Sequence, residues 1–154
     1  MAVAFKTEVQ PTQFDLKAQL LDQGRSMDLL AKTDLMAAHI KVYAEGGENG
    51  LHTHDHEDHM FVVLAGQATF HTSTAEDARV VDKYQGILLP KGAYYRFESS
   101  GSENLVLLRV GAQLPGTPHH RTKPDGSPIP GDSPDNKQVP VIPRAGQYFP
   151  SDLS

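Results

Sequence analysis

The sequence predicts an all-β domain, and three observations carry that expectation. Between positions 25 and 112 the chain breaks into at least seven short apolar or alternating runs, spaced by turn residues as in a sandwich or barrel. At 154 residues it is long enough to bury roughly two thirds of its unfolded surface, so its core needs no metal or disulfide staple. Nine of the eleven prolines fall between Pro115 and Pro150, which confines regular structure to the part before them.

The elements follow in order. Residues 1–24 form an N-terminal arm, in which Thr12 offers a helix cap, Phe14, Leu16, Leu20 and Leu21 an apolar stripe, and Gly24 a stop. A short helix and an irregular arm both fit. Residues 25–112 form the β domain, with strand runs at 26–32, 35–44, 59–72, 78–83, 85–90, 93–99 and 104–112. Lys32-Thr33-Asp34, Gly46-Gly47, Lys91-Gly92 and Ser100-Gly101-Ser102 are among the breaks. Residues 113–154 are a Pro/Gly-rich tail in which regular strand or helix is not expected. Its anchors, Val139, Val141, Ile142, Tyr148 and Phe149, predict an extended segment packed on the β domain or on a partner subunit rather than a solvated tail.

Composition narrows the function classes. With no cysteine, disulfides, thiolate ligands and a cysteine nucleophile are excluded, and any metal is left to nitrogen and oxygen donors. A net charge of −5 with scattered Lys and Arg leaves no footprint for nucleic acid or an anionic membrane. The start lacks the charged-then-apolar pattern of a signal peptide, and no apolar run approaches the roughly 18 residues of a membrane span, so a cytoplasmic location is expected.

The chemistry is concentrated in one place. Four of the eight histidines, His52, His54, His56 and His59, lie within eight positions at the entrance to an apolar strand. Imidazole is the commonest protein ligand for transition metals, and His52 and His54, two apart on an extended chain, project from one face.

These residues carry a resemblance. Gly46, His52, His54, His59 and Gly66, in the spacing G-x5-H-x-H-x4-H-x6-G, resemble the first motif of the cupins. Residues 86–97, GILLPKGAYYRF, resemble the second, with Pro90 and Gly92 in place. The resemblance covers about residues 28 to 112 and implies a small double-stranded jelly-roll β-barrel with a metal in its mouth. In a typical cupin the first motif gives two histidines and a glutamate, and the second a further histidine. Here His59 stands in the glutamate's place, Glu57 and Asp58 fall on the connecting segment as solvated near misses, and Tyr95 takes the position of the second-motif histidine.

The site expected from this alignment is one divalent metal, Fe(II) or Zn(II) with Mn or Ni as further choices, held by His52, His54 and His59 with its opposite face open. Tyr95 is then a phenolate ligand, a hydrogen-bond donor standing behind the metal's own ligands, or a general acid or base, the donor and acid roles ranking first; a plain wall residue is the bland reading. Tyr95 and Phe97 share a strand face, and Phe97 with Met36, Ile40, Phe61, Val63, Leu88 and Leu107 is expected to wall an apolar pocket. Arg109, the one charge in the last strand, either meets solvent or steers an anionic substrate group. His56 is expected in a solvent-facing loop, His39 as a satisfied strand histidine, His71 at the surface, and His119, His120 and Arg121 as an exposed stretch rather than a lid.

The functional expectation is an enzyme acting on a small oxygen-rich or aromatic molecule, dioxygenase-like. The alternatives are a redox-neutral lyase, isomerase or cyclase using Zn or Mn, and a non-catalytic small-molecule-binding cupin. The resemblance also implies a homodimer, with the arm around Phe5 and the apolar end of the tail at the interface.

Overall fold

The structure, a computed structural model, describes residues 9–44, 49–73, 76–118, 120–129 and 139–152. Among them run twelve strands: β1 (Ala18–Gln23), β2 (Arg25–Lys32), β3 (Met36–Tyr43), β4 (Thr53–His54), β5 (Glu57–Ala65), β6 (Ala68–His71), β7 (Arg79–Val81), β8 (Gly86–Leu89), β9 (Arg96–Ser99), β10 (Leu105–Gln113), β11 (Arg121–Thr122) and β12 (Ile142–Phe149). Each of the seven expected runs carries a strand, and among the described residues no helix is long and apolar enough to cross a membrane.

A five-stranded antiparallel sheet in the order β2-β3-β10-β5-β8 faces a three-stranded sheet, β7-β6-β9. Among the described residues the two sheets pack as a jelly roll without joining into one continuous hydrogen-bonded barrel. Their inner faces meet in a core of Tyr43, Phe61, Val63, Phe70, Phe97, Leu105 and Leu107. The turn from β5 into β6 depends on Gly66, whose φ is +75° and where a Cβ would lie 2.6 Å from the Asn104 carbonyl oxygen.

The outer face of the large sheet is apolar as well. Ile40, Val42 and Val106 are buried there beneath Ala18, Leu21 and Phe149, and full burial of such side chains is worth about 1.5–3 kcal/mol each. The cover is a two-stranded ribbon of β1 and β12, which corrects two expectations. The N-terminal arm carries a strand, not a helix. The tail, for all its prolines, holds an eight-residue strand. Proline is tolerated because β12 is an edge: Pro143 sits opposite Leu21 and has no N–H to give, and the buried Asn104 amide instead accepts from Leu21 N–H at 2.7 Å and donates to its carbonyl at 3.0 Å. Val139, Val141 and Ile142 are exposed, whereas Phe149 packs in the outer cluster and Tyr148 is half-buried with Lys17 Nζ 5.5 Å from its ring centroid. Phe5 lies outside the described residues.

Two apolar faces on one sheet also explain an error of parity. The odd-numbered residues of β3 point inward, so Ile40 belongs to the outer cluster, and Met36 and Leu88 are exposed. Met36, Ile40 and Leu88 therefore do not wall the interior. Phe61, Val63, Phe97 and Leu107 do face it.

Candidate metal centre

β4 is two residues long, turns at Asp55 and His56, and feeds β5, whose burial alternates from its first residue. Because His59, Phe61 and Val63 face inward, period-two alternation turns Glu57 inward too. Glu57 is thus buried at the head of β5 rather than solvated in a loop, while Asp58 is exposed and accepts the Lys91 N–H.

One Glu57 carboxylate oxygen lies 3.1 Å from His54 Nδ1 and 3.7 Å from His59 Nε2. The donor atoms of His54, Glu57 and His59 all lie within 4.8 Å of one another, and all three residues are buried. His52 stands beside this group, its ring centroid 5.2 Å from that of His54. Its Nδ1 is 2.8 Å from the Gly50 carbonyl, which fixes the proton there and leaves Nε2 with a free lone pair. Burial lowers His52 and His54 to about 4 and lowers His59 as well, so the imidazoles are neutral near pH 7, the form in which they ligate metals.

Tyr95 joins the two motifs. It exchanges backbone hydrogen bonds with His52 at 2.8 and 3.1 Å, and its phenol oxygen lies 3.2 Å from His59 Nδ1. Arg109 Nη2 donates to His59 Nε2 at 3.0 Å. Since arginine only donates, Nε2 accepts, and neutral His59 carries its proton on Nδ1, from which Tyr95 accepts. Burial pushes the Tyr95 phenol up, so it stays protonated in this arrangement. The His59 ring has room because Gly111 is opposite it on β10: a Cβ there would lie 3.3 Å from the imidazole.

Two neutral imidazoles and a carboxylate converging in a buried site fit a divalent ion by the chemistry of the donor set. One movement is required: His59 can offer Nε2 to a metal only if the Arg109 guanidinium releases that lone pair.

The site opens into a cavity of about 720 Å³. Phe97 and Arg109 line it, so Arg109 faces the interior and not solvent, whereas Phe61 lies in the core beneath. The segment after the β domain is exposed at His120, as expected, but not at Arg121. β11 pairs with β4, setting Arg121 opposite His54, and the buried Ile129 hydrogen-bonds back to Arg121, so 121–129 covers part of the mouth. His120 pairs with Asp55 at 3.2 Å and its ring lies 5.5 Å from His56; His119 lies outside the described residues. His56 is half-buried in its turn. His39 is opposite Arg109, and its buried Nδ1 has no partner among the described residues. His71 pairs with Glu98 on the small sheet, away from the site.

Sequence reasoning sets Glu57 and Arg121 in solvent and gives no place in the site to Gly111, Arg25 or Lys41. The alternation of His59, Phe61 and Val63 was the signal that could have found Glu57. For Arg121 the lid alternative is the nearer reading, since it reaches the site through the pairing of β11 with β4.

No family profile matches the sequence, and no curated protein matches it. Solved structures do. The cupin domain of Cnp3 from Schizosaccharomyces pombe is 22% identical, with a TM-score of 0.54 over 61% of this chain and 68% of that one. An uncharacterized conserved protein with a double-stranded β-helix domain from Klebsiella pneumoniae is 17% identical, with a TM-score of 0.58 over 73% and 92%. KdgF from Halomonas sp. is 15% identical, with a TM-score of 0.53 over 60% and 82%. At these identities the likeness is one of architecture, and with the strand order above it gives this chain the cupin fold, the double-stranded β-helix.

Proposed function

We propose that this protein is a metal-dependent enzyme acting on a small oxygen-rich molecule, with His54, Glu57 and His59 as the metal-binding set and His52 as an adjacent imidazole. The observation that carries the reading is the buried convergence of two neutral imidazoles and one carboxylate at the head of a cavity of about 720 Å³. A two-histidine, one-carboxylate set with open positions is the ligand pattern of non-haem iron(II) oxygenases, which favours the dioxygenase-like reading over the redox-neutral ones. A bound ion would supply Lewis acidity and, as iron(II), a redox centre.

The protein's own residues do the rest. Glu57 brings a negative charge that the three-histidine set lacked. Gly50, through His52 Nδ1, holds that imidazole with Nε2 available. Arg109, once displaced from His59, is a cation beside the place where a substrate oxygen would sit, and the protonated Tyr95 phenol is a hydrogen-bond donor in the same wall.

Elemental analysis of untagged protein purified without added metal, native and Glu57→Gln, tests the reading. Near-stoichiometric iron that is lost in the variant supports it and directs oxygen-uptake assays with diketones and catechols. Zinc lost in the variant moves the proposal to redox-neutral chemistry. No metal in either protein refutes it and leaves a binding protein.

The homodimer remains a proposal, with a different surface from the one expected. Met36, Met60 and Leu88 are 47%, 40% and 64% exposed on the part of the outer face that the β1–β12 ribbon leaves bare. Met60 is opposite both Leu88 and Val110, so the patch runs continuously across three strands. A second copy of the chain would cover it.

A further inference from the structure

The cavity is lined by cations on neighbouring strands. Arg25 comes from β2, Lys41 from β3 and Arg109 from β10, with Arg121 of β11 at the rim. No Asp or Glu among the described residues lines it. Arg25 donates to the neutral amide oxygen of Asn49, and Arg109 to an imidazole. Lys41 Nζ lies 5.1 Å from the Tyr43 ring centroid, 5.8 Å from Phe97 and 6.0 Å from Phe61, and among the described residues it has no ion pair.

Register fixes their arrangement. Arg25 is opposite Tyr43, Lys41 is two residues further along β3, and Arg109 is opposite His39, two residues further again. Each step along the strand is about 7 Å, so the charges run diagonally across the inner face and end at His59. At the His59 end the Glu57 carboxylate stands near Arg109. At the other end Arg25 and Lys41 repel one another and lose hydration in a partly apolar cavity that no carboxylate lines among the described residues, an arrangement that is unfavourable until an anion enters. Lys41 shows the strain: burial, then Arg109, Arg25 and Arg121, hold its ammonium well below the ordinary lysine range.

We propose that this cavity binds a small molecule carrying two anionic groups, carboxylate or phosphate, one held between Arg25 and Lys41 and the other between Arg109 and the metal-binding group. Phe97, Met27 and Ile129 line the same cavity and suit a short carbon skeleton between the two charges. The assignment of the second anion to the metal end rests on the function proposed above; the Arg25–Lys41 end does not.

Calorimetric titration of the full chain tests this with three probes: citrate, glucose 6-phosphate and uncharged glucose. Each is measured on protein as purified and on protein stripped with 1,10-phenanthroline, an uncharged chelator that does not itself compete for an anion site. Lys41→Met preserves side-chain length among aromatic neighbours, and Arg25→Gln, on an edge strand, guards against misfolding of the first variant. We expect saturable binding of at least one anion to the stripped protein, none of glucose, and binding roughly tenfold to a hundredfold weaker in each variant. Tighter citrate would identify carboxylates as the ligand groups, and tighter glucose 6-phosphate a phosphoryl group. Anion binding that is absent, or that is equal in native protein and both variants, overturns the proposal. So does binding that vanishes on stripping, because the metal would then be the whole receptor. A native protein without metal that still binds anions through Lys41 and Arg25 keeps the pocket while the enzymatic reading fails.

Discussion

Arg109→Met should tighten metal binding, although it removes a residue from the site itself. In the native protein Nη2 donates to His59 Nε2 at 3.0 Å, and the same lone pair is the one His59 turns toward Glu57, 3.7 Å away. A metal must displace that donor. A hydrogen bond involving a charged partner contributes about 1.5–3 kcal/mol, so freeing the lone pair in advance should improve affinity by roughly ten- to a hundredfold. The residual repulsion acts in the same direction: two unit charges about 5 Å apart at an effective dielectric of about 20 repel by roughly 3 kcal/mol, and a divalent ion feels more. Competition for Zn(II) against a chromophoric chelator, in chloride buffer without phosphate or citrate, measures the change directly. Arg109→Lys separates the two contributions, since it keeps the charge and shortens the reach to Nε2. Affinity that is unchanged or weaker in Arg109→Met would show that Nε2 is not a metal donor, and the ligand set built on His59 would fall with it.

Acid should destabilise the metal-free protein between about pH 6.5 and pH 4. The folded-state values of His52 and His54 are depressed to about 4, so in that window the unfolded chain binds more protons and stability falls as pH drops, by up to about 3 kcal/mol for each histidine. Urea midpoints at pH 7.5 and 4.5 should differ accordingly, and the slope should flatten in His52→Gln. Asn104→Ala should lower stability by about 2–4 kcal/mol, because it strands the buried N–H and C=O of Leu21; hydrogen exchange should show β12 losing protection first, and an unchanged urea midpoint would contradict that account of the ribbon. Met60→Lys should convert the proposed dimer to a monomer by light scattering without loss of metal, and a native protein that is already monomeric removes the outer face as an interface.

The β domain was legible because its signal is local: short apolar runs between Gly, Ser and Lys-Gly breaks need no knowledge of partners. β12 was not, since its stability comes from pairing with a strand more than a hundred residues away and from an Asn104 amide that completes what Pro143 cannot. The same distinction divides the site. His52 and His54 stand out by their spacing, and His59 by the resemblance of its segment to the cupin motif. Glu57 escapes a reading in which a loop runs from His54 to His59, because β5 begins two residues before His59 and its alternation turns Glu57 inward. Lys41 was invisible for another reason: in the run LMAAHIKVYA a single lysine reads as the solvent side of a strand, and only the second core, under the β1–β12 ribbon, turns Ile40 and Val42 outward and Lys41 in.

That second core bears on how the molecule can hold its chemistry. An inner face that carries Arg25, Lys41 and Arg109 is a poor hydrophobic core, and a sheet with only that face to bury would lose much of its driving force. Here the inner face divides. One part, Phe61, Phe70, Phe97, Leu105 and Leu107, is dry and aromatic, while the other is charged and opens to the mouth between β4 and the 121–129 segment. The ribbon buries Ile40, Val42 and Val106 on the opposite face of the same strands, so β3 and β10 are anchored from outside at the level where their inner side chains are polar. Loosening the ribbon should therefore disturb the cation-lined cavity before it unfolds the aromatic core, and in Asn104→Ala anion affinity should fall under conditions where the near-ultraviolet signal of the core is unchanged. Loss of both signals together would mean that the outer ribbon and the inner cavity belong to one cooperative unit.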